Sequence, residues 1–164
     1  MERYYIAYGS NLNFRQMSLR CPDAKFVGVG TLDNYELVFR GSKKSAVATV
    51  EPCSGKQVPV GIWTISKQDE RHLDRYEGFP SFYTKKTLSI SHNDKTYPAM
   101  IYVMNDGYQY GMPSPSYYQT IKEGYGDCHF EVDILDDAVQ SAKEIFEQQE
   151  MKKEFPFGYR DVRQ

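Results

Sequence analysis

The 164-residue chain is poor in cysteine, and its three cysteines, Cys21, Cys53 and Cys128, lie far apart. Their number is odd and no CxxC pair occurs, so the sequence predicts neither a disulfide framework nor a structural zinc site. Lysine and arginine (20) nearly balance aspartate and glutamate (22), which gives a formal net charge of −2. Because a basic excess is the electrostatic footprint of nucleic-acid binding, we expect no nucleic-acid partner.

Long hydrophobic runs are also missing. No apolar stretch approaches the 18 or so residues of a membrane span, and the N-terminus lacks a charged-then-apolar leader. We therefore expect a cytoplasmic protein without a membrane partner. The P-loop, GxGxxG, GxSxG and HExxH motifs are absent too, so the sequence carries none of these familiar signatures of nucleotide, serine-hydrolase or zinc-hydrolase chemistry. No metal or other cofactor is expected.

Tyrosine, in contrast, is abundant, with 14 copies. Its flat apolar ring and polar hydroxyl suit both half-buried strands and pocket walls. The chain length suits one domain, and a chain of about 150 residues buries roughly 70% of its unfolded surface, enough for a core. We predict a single domain over residues 1–164, with its core at about 4–126 and a C-terminal helix and tail at 133–164.

The hydrophobic pattern predicts about seven short strands with few helices between them, which disfavours a doubly wound α/β fold. We expect an α+β fold: a small mixed, mostly antiparallel β-barrel with flanking helices. Asp33–Asn34 is predicted as a turn or bulge, and Pro52–Lys56 and His92–Asp94 as hairpin loops. The predicted strands are 4–8, 26–32, 35–39, 45–51, 58–65, 82–91 and 95–104, and the predicted helices are 11–20, 67–76, 116–125 and 133–152.

The run Tyr4–Asn13, which reads YYIAYGSNLN, carries the first functional signal. Its β-favouring beginning predicts one buried strand, Gly9 breaks that strand, and Ser10 and Asn11 are good N-caps for the helix at 11–20. At such a junction unpartnered N–H groups and the positive end of the helix dipole favour a bound carboxylate or phosphate. The alternative is an ordinary capped helix after an edge strand, with nothing bound.

Glu77 is the second candidate, because it ends the helix predicted at 67–76 just before a stop at Gly78. The C-terminal end of a helix is the negative end of its dipole and disfavours an ionised carboxylate, and Tyr76 and Phe79 make the surroundings apolar. Both effects raise the carboxyl pKa from about 4.3 toward the range useful for proton transfer near neutral pH. The alternative is an exposed glutamate without a role.

Three motifs occur in order along the chain: Tyr8–Leu12 (YGSNL), Leu73–Gly78 (LDRYEG) and Pro113–Tyr117 (PSPSY), with Tyr83 six residues after the glutamate of the second. Together they resemble the signatures of the γ-glutamylcyclotransferase-like (AIG2-like) superfamily. The resemblance spans roughly residues 4–126, and the remainder has no clear counterpart.

The resemblance implies a barrel with a pocket at its rim. It implies that Glu77 is the catalytic acid/base and that the amides of Gly9, Ser10 and Asn11 hold the α-carboxylate of the substrate. Tyr83 and Tyr117 would form pocket walls and donate hydrogen bonds. The full implied substrate-binding set is Tyr5, Ile6, Ala7, Tyr8, Gly9, Ser10, Asn11, Tyr83 and Tyr117.

The implied partner is a small-molecule γ-glutamyl substrate, whose α-amine attacks its own γ-carbonyl to close 5-oxoproline and release an amino acid or amine. This intramolecular step needs no attacking serine, cysteine or metal. Members of the superfamily differ in the leaving group, and we expect selectivity to reside in the loop at 105–115 and in the C-terminal extension. A non-catalytic binding or interaction protein on the same barrel is the alternative, and a homodimer stays open.

Overall fold

The apolar run near the N-terminus forms the central strand of a mixed sheet in the computed structural model, which describes residues 3–155. The strand order is β2-β3-β1-β5-β4. Strand β1 pairs antiparallel with β3, with Tyr5 opposite Trp63, and parallel with β5, with Tyr5 opposite Met100. The predicted α+β class and mostly antiparallel sheet are confirmed. Of the C-terminal helix and tail predicted at 133–164, residues 156–164 lie outside the described residues.

The elements follow the chain in simple order. The strands are β1 (Arg3–Ala7), β2 (Lys25–Arg40), β3 (Val47–Ile65), β4 (Tyr83–His92) and β5 (Lys95–Met104). The helices are a 3-10 turn (Ser10–Leu12), α1 (Phe14–Arg20), α2 (Lys67–Glu77), α3 (Pro115–Asp127) and α4 (Asp133–Glu154). Among the helices of residues 3–155, none combines the length and apolar character needed to span a bilayer.

Strands β2 and β3 each merge two predicted strands into one long antiparallel ribbon. The predicted hairpin loop at Pro52–Lys56 is therefore wrong. Residue 35 pairs with residue 52 and residue 33 with residue 57, so four residues of β3 lie opposite Asn34 alone. Asn34 adopts a positive φ of 62°, and its Oδ1 accepts a hydrogen bond from the N–H of Gly55 at 3.0 Å. A bulge, with a polar side chain satisfying the backbone, takes the place of the loop.

The predicted barrel is not closed, because within residues 3–155 no ladder joins β2 to β4 at the two edges of the sheet. A bulge between Phe26 and Gly28 interrupts the β2 edge. Side chains of β4 fill the space between the two edges instead. A Cβ at Gly28 of β2 would lie 2.4 Å from the His92 ring, and one at Gly30 would lie 3.5 Å from Ile90. The sheet curls toward closure, but side-chain packing rather than hydrogen bonding joins its edges.

Helix α2 begins and ends as the sequence predicts. Ser66 and Asp69 form a capping box, and Gly78 ends the helix in the left-handed region at φ 67°. Helix α1 differs from the prediction, because the side chain of Asn13 accepts a hydrogen bond from Gln16 N and caps it. The predicted caps at residues 10 and 11 instead lie within a separate 3-10 turn, so the expected helix start is displaced by three residues.

Candidate active site

A cavity of about 200 Å³ lies where the chain leaves β1, between the 3-10 turn and the C-terminal end of α2. Strand β3 and helix α3 supply the opposite walls. The lining residues are Tyr5, Tyr8, Gly9, Ser10, Asn11, Val47, Ala48, Tyr76, Glu77, Phe82, Tyr83, Tyr102 and Tyr117. The structure therefore brings the predicted anion-binding turn and the predicted acid/base onto one cavity.

The turn at Gly9–Asn11 forms because β1 ends at Ala7 and the chain tightens at once into one 3-10 turn. Leu12 N donates to Gly9 O at 3.0 Å, and Asn13 N donates to Ser10 O at 3.1 Å. The first N–H groups of a helical turn have no partner within the turn, so they are available to an anion. Gly9 also keeps this side of the cavity open, since a Cβ there would lie 3.6 Å from the Tyr117 hydroxyl.

Asn11 is fixed by three hydrogen bonds. Its side-chain Nδ2 donates to the Tyr5 hydroxyl at 2.9 Å, and its Oδ1 accepts from Arg20 Nη1 at 2.6 Å. Its carbonyl oxygen accepts from the indole N–H of Trp63 at 3.2 Å. The amide side chain is thus committed to holding the turn, and the main chain is the part of Asn11 left for a ligand.

Glu77 is the last residue of α2, and its carboxylate lines the cavity. Burial raises its pKa to about 7, while the positive charge of Arg20 acts in the opposite direction. Within residues 3–155 no hydrogen bond or ion pair engages this carboxylate. The raised pKa has the direction that the sequence predicts, and burial is its largest cause. A carboxyl group that titrates near neutral pH can both accept and donate a proton.

Four of the tyrosine hydroxyls of the cavity, those of Tyr5, Tyr8, Tyr83 and Tyr117, fall into two groups. Two of them already donate to backbone carbonyls: Tyr8 to Tyr102 O at 2.7 Å, and Tyr83 to Ala48 O at 2.6 Å. The hydroxyl of Tyr117 instead accepts a hydrogen bond, from Ala48 N at 3.0 Å. The proton of the Tyr117 hydroxyl therefore stays available to a ligand. The proton of Tyr83, which was predicted to be donated to the substrate, is donated to Ala48 O instead.

Tyr5 shares the position of Tyr117, because its hydroxyl accepts from Asn11 and retains its proton. Burial raises the pKa of both phenols well above the usual value, which keeps them protonated. Both hydroxyls are thus neutral donors across the physiological pH range. Hydrogen-bond geometry, and not the residue type, separates Tyr5 and Tyr117 from Tyr8 and Tyr83, whose protons are already donated to backbone carbonyls.

Ile6 and Ala7 do not line the cavity, which corrects their predicted place in the substrate-binding set. Both are almost completely buried, at 0% and 1% exposure, as core residues of β1. They lie in the middle and end of a central strand whose neighbours cover them on both sides. The other seven predicted binding residues do line the cavity.

Sequence reasoning missed several wall residues: Val47, Ala48, Tyr76, Phe82 and Tyr102. Tyr76 had a usable signal, since it precedes Glu77 at the same helix end. Nothing in the local sequence marks the others, because only the pairing of distant strands brings them to the cavity. The loop at 105–115, expected to govern selectivity, does not contribute to this cavity.

Larger clefts lie elsewhere on the part of the molecule that the structure describes. One of about 500 Å³ separates α4 from β2, and one of about 610 Å³ lies beside residues 105–109. The cavity at Glu77 is the better catalytic candidate, because burial raises the pKa of this carboxyl group to about 7. Among residues 3–155 no group of three or more metal-ligating side chains is assembled.

Comparison with known proteins finds related sequences and a related fold. The family model described as gamma-glutamyl cyclotransferase, AIG2-like, matches residues 5–124. Gamma-glutamylcyclotransferase of Homo sapiens is 30% identical over 129 residues, which cover 73% of this chain and 68% of the relative, and the Bos taurus protein of the same name gives the same figures. A solved structure titled gamma-glutamyl cyclotransferase matches with a TM-score of 0.75 at 23% identity, covering 90% of this chain and 99% of that one, a likeness that shows the fold.

Proposed function

Because the chain belongs to the gamma-glutamyl cyclotransferase, AIG2-like family and is an enzyme of that family, we propose that it cyclises a γ-glutamyl amide to 5-oxoproline and releases an amino acid or amine. One observation carries the proposal: Glu77, with a pKa of about 7, and the Gly9–Asn11 turn line the same cavity. The chemistry needs a proton carrier and a carboxylate anchor on one cavity, and we assign these roles to Glu77 and to the turn.

The substrate's α-carboxylate binds the main-chain N–H groups of the Gly9–Asn11 turn. The cavity of about 200 Å³ is smaller than the roughly 300–1,000 Å³ typical of sites for drug-sized ligands, which favours a group the size of one glutamyl unit. Tyr76 is 45% exposed at the cavity, so the leaving group extends past this ring toward solvent. Tyr5 and Tyr117 donate hydrogen bonds to substrate oxygens.

Glu77 acts first as a base, taking a proton from the substrate's α-ammonium group. The freed amine attacks the γ-carbonyl carbon, so a C–N bond forms in a five-membered ring while the amide C–N bond breaks. The attacking nitrogen gives up two protons in total. Glu77 transfers one to the departing nitrogen, and the second leaves with the product amine or to solvent. The cavity accelerates this ring closure by holding the substrate in its folded conformer, because well-oriented intramolecular reactions reach effective molarities of about 10⁵–10⁸ M.

The decisive experiment incubates the protein with a panel of γ-glutamyl amino acids and γ-glutamyl amines and measures 5-oxoproline. We expect release of 5-oxoproline from at least one compound, and its loss in Glu77→Gln. A protein that binds these compounds but releases no 5-oxoproline would support the non-catalytic alternative and contradict the proposal.

A pair of tyrosine variants tests the assignment of donors. Tyr117→Phe removes a hydroxyl whose proton is available to substrate, so we expect kcat/KM to fall by at least about tenfold. It also leaves the buried N–H of Ala48 unpaired, so a loss of about 1–3 kcal/mol in the free energy of unfolding accompanies the kinetic effect. Tyr83→Phe removes a donor to Ala48 O and leaves that buried carbonyl unpaired, so we expect a loss of about 1–3 kcal/mol in the free energy of unfolding with a smaller kinetic effect. Equal kinetic effects of the two variants would refute the distinction between them.

A further inference from the structure

Arg20 joins the two halves of the candidate site, although it does not line the cavity. It is the last residue of α1, and its guanidinium donates from Nη1 to Asn11 Oδ1 at 2.6 Å and from Nη2 to Gln16 Oε1 at 2.9 Å. The same group lies 3.7 Å from the centre of the Tyr76 ring. One side chain therefore contacts both the anion-binding turn and the residue next to Glu77.

A second contact closes this link. The hydroxyls of Tyr76 and Ser10 are 3.1 Å apart and share a hydrogen bond. The ring of Tyr76 is thus held by Arg20 on its face and by Ser10 at its tip. Because Tyr76 directly precedes Glu77, fixing this ring fixes the end of α2 relative to the turn.

We propose that Arg20 is a positioning residue for the cyclisation, which holds the turn at Asn11 against the Tyr76–Glu77 end of α2 and places a permanent positive charge near the Glu77 carboxylate. The inference rests on the proposed function, and it adds a residue outside the cavity wall to the machinery. Arg20 contributes to the site in two ways, through its charge and through its geometry.

The charge contribution follows from the groups that face Glu77. The phenols of Tyr5 and Tyr8 on the first strand and turn, Tyr83 on β4 and Tyr117 on α3 are neutral, because burial raises the pKa of each. Arg20 is the charge that lowers the pKa of Glu77 against the effect of burial. Without it, Glu77 stays protonated to higher pH and cannot accept the proton of the substrate's ammonium group.

The geometric contribution depends on the shape of the guanidinium. Its planar fork donates to two acceptors while its face stacks on an aromatic ring, whereas a lysine ammonium is a compact point charge that does not stack in this way. Arg20→Lys therefore keeps the positive charge but loses the paired hydrogen bonds and the stacking on Tyr76, which together we call the brace. Arg20→Met loses both the charge and the brace. Arg15 is the matched control, because it lies on the same helix, is exposed, and has no side-chain hydrogen bond or ion pair within residues 3–155.

The test measures kcat/KM for 5-oxoproline release between pH 5 and pH 9 in the wild type and in the variants Arg20→Met, Arg20→Lys and Arg15→Met. In Arg20→Met we expect the acidic limb of the profile to move to higher pH by about one unit, the smaller end of the effect of a neighbouring opposite charge. In Arg20→Lys we expect the limb to stay near its wild-type position while kcat falls by about tenfold or more. Arg15→Met should match the wild type in both respects.

An acidic limb that stays in place in Arg20→Met would overturn the charge contribution, and a wild-type kcat in Arg20→Lys would overturn the brace. A carbon-13 NMR titration of the Glu77 carboxyl reads the same pKa change without turnover, and it also shows whether each variant is folded. If the wild type releases no 5-oxoproline, the proposed function fails while the titration still decides the role of the Arg20 charge. An unchanged Glu77 pKa in folded Arg20→Met refutes that role directly.

Discussion

Replacing Glu77 by glutamine separates the catalytic role of the carboxylate from its effect on stability. Glutamine has nearly the same shape, and within residues 3–155 the carboxylate makes no hydrogen bond or ion pair that the amide would lose. The variant should therefore fold. Because an amide cannot carry a proton between the two nitrogens of the substrate, turnover should fall by at least about 10²-fold, the low end for a general acid/base residue.

The same substitution should stabilise the protein at alkaline pH. The pKa of Glu77 rises from 4.5 to about 7 on folding, mainly through burial. Below pH 4.5 the carboxyl is protonated in both states and contributes no difference. As the pH rises from 4.5 to 7, the unfolded state releases its proton first, so the folded state loses stability relative to it. The full loss is reached above pH 7.

The magnitude follows from the size of that shift. About 2.5 units at about 1.36 kcal/mol per unit give roughly 3 kcal/mol, and the partial exposure of Glu77 reduces this to roughly 2–3 kcal/mol. Glutamine stays neutral and avoids the loss. We therefore expect Glu77→Gln and the wild type to unfold alike near pH 4.5, and the variant to be more stable by roughly 2–3 kcal/mol at pH 8.

Urea unfolding at pH 4.5 and pH 8, with 5-oxoproline release measured on the same preparations, checks both expectations. Glu147→Gln is the control, because Glu147 is exposed on α4 and lies outside the cavity. A variant with wild-type turnover would refute the catalytic role of Glu77. A stability difference that is the same at both pH values would refute the account of its burial.

Three further predictions concern pH and the glycines of the site. Wild-type kcat/KM should fall below about pH 7 as Glu77 becomes protonated, and a profile that is flat to pH 5 would contradict this. Gly9→Ala places a Cβ 3.3 Å from that of Ala48, so calorimetry should detect weaker binding of 5-oxoproline; unchanged affinity would count against an anion site at the turn. Gly124→Ala places a Cβ 2.6 Å from a backbone nitrogen and should cost about 1–3 kcal/mol in the free energy of unfolding, while Gly126→Ala, with no atom within 4 Å, should not destabilise the protein.

Much of the local structure could be predicted because the signals are local. The capping box at Ser66 and the left-handed stop at Gly78 fix α2, and with it the position of Glu77, within one residue of the prediction. The glycine after a β-favouring run likewise marks the turn at Gly9. A bulge was one of the two structures predicted at Asp33–Asn34, but the segment opposite it was predicted as a hairpin loop, because Pro52 and Gly55 also suit a turn.

The remaining features depend on pairing between distant segments, which leaves little trace in a single sequence. Ile6 and Ala7 fall within the same run as Tyr5 and Tyr8, yet strand packing buries them while their neighbours reach the cavity. Whether a tyrosine donates to substrate or to the backbone also cannot be read from its type. Tyr117 on α3 accepts from the N–H of Ala48, whereas Tyr83 on β4 donates to the carbonyl oxygen of the same residue.

The position of Ala48 in β3 also explains why a cavity exists at this place. On one side of β3, Ala48 lies opposite Phe39 of β2. On the other side, β1 pairs with β3 only at residues 61–65. The N–H and C=O of Ala48 therefore meet no strand on that other side, and the hydroxyls of Tyr117 and Tyr83 bond to them instead. Buried backbone groups need such partners, so these two side chains take the place of a strand. Because β1 stops at Ala7, the same ending leaves space for the cavity and supplies the N–H groups of the turn that faces it.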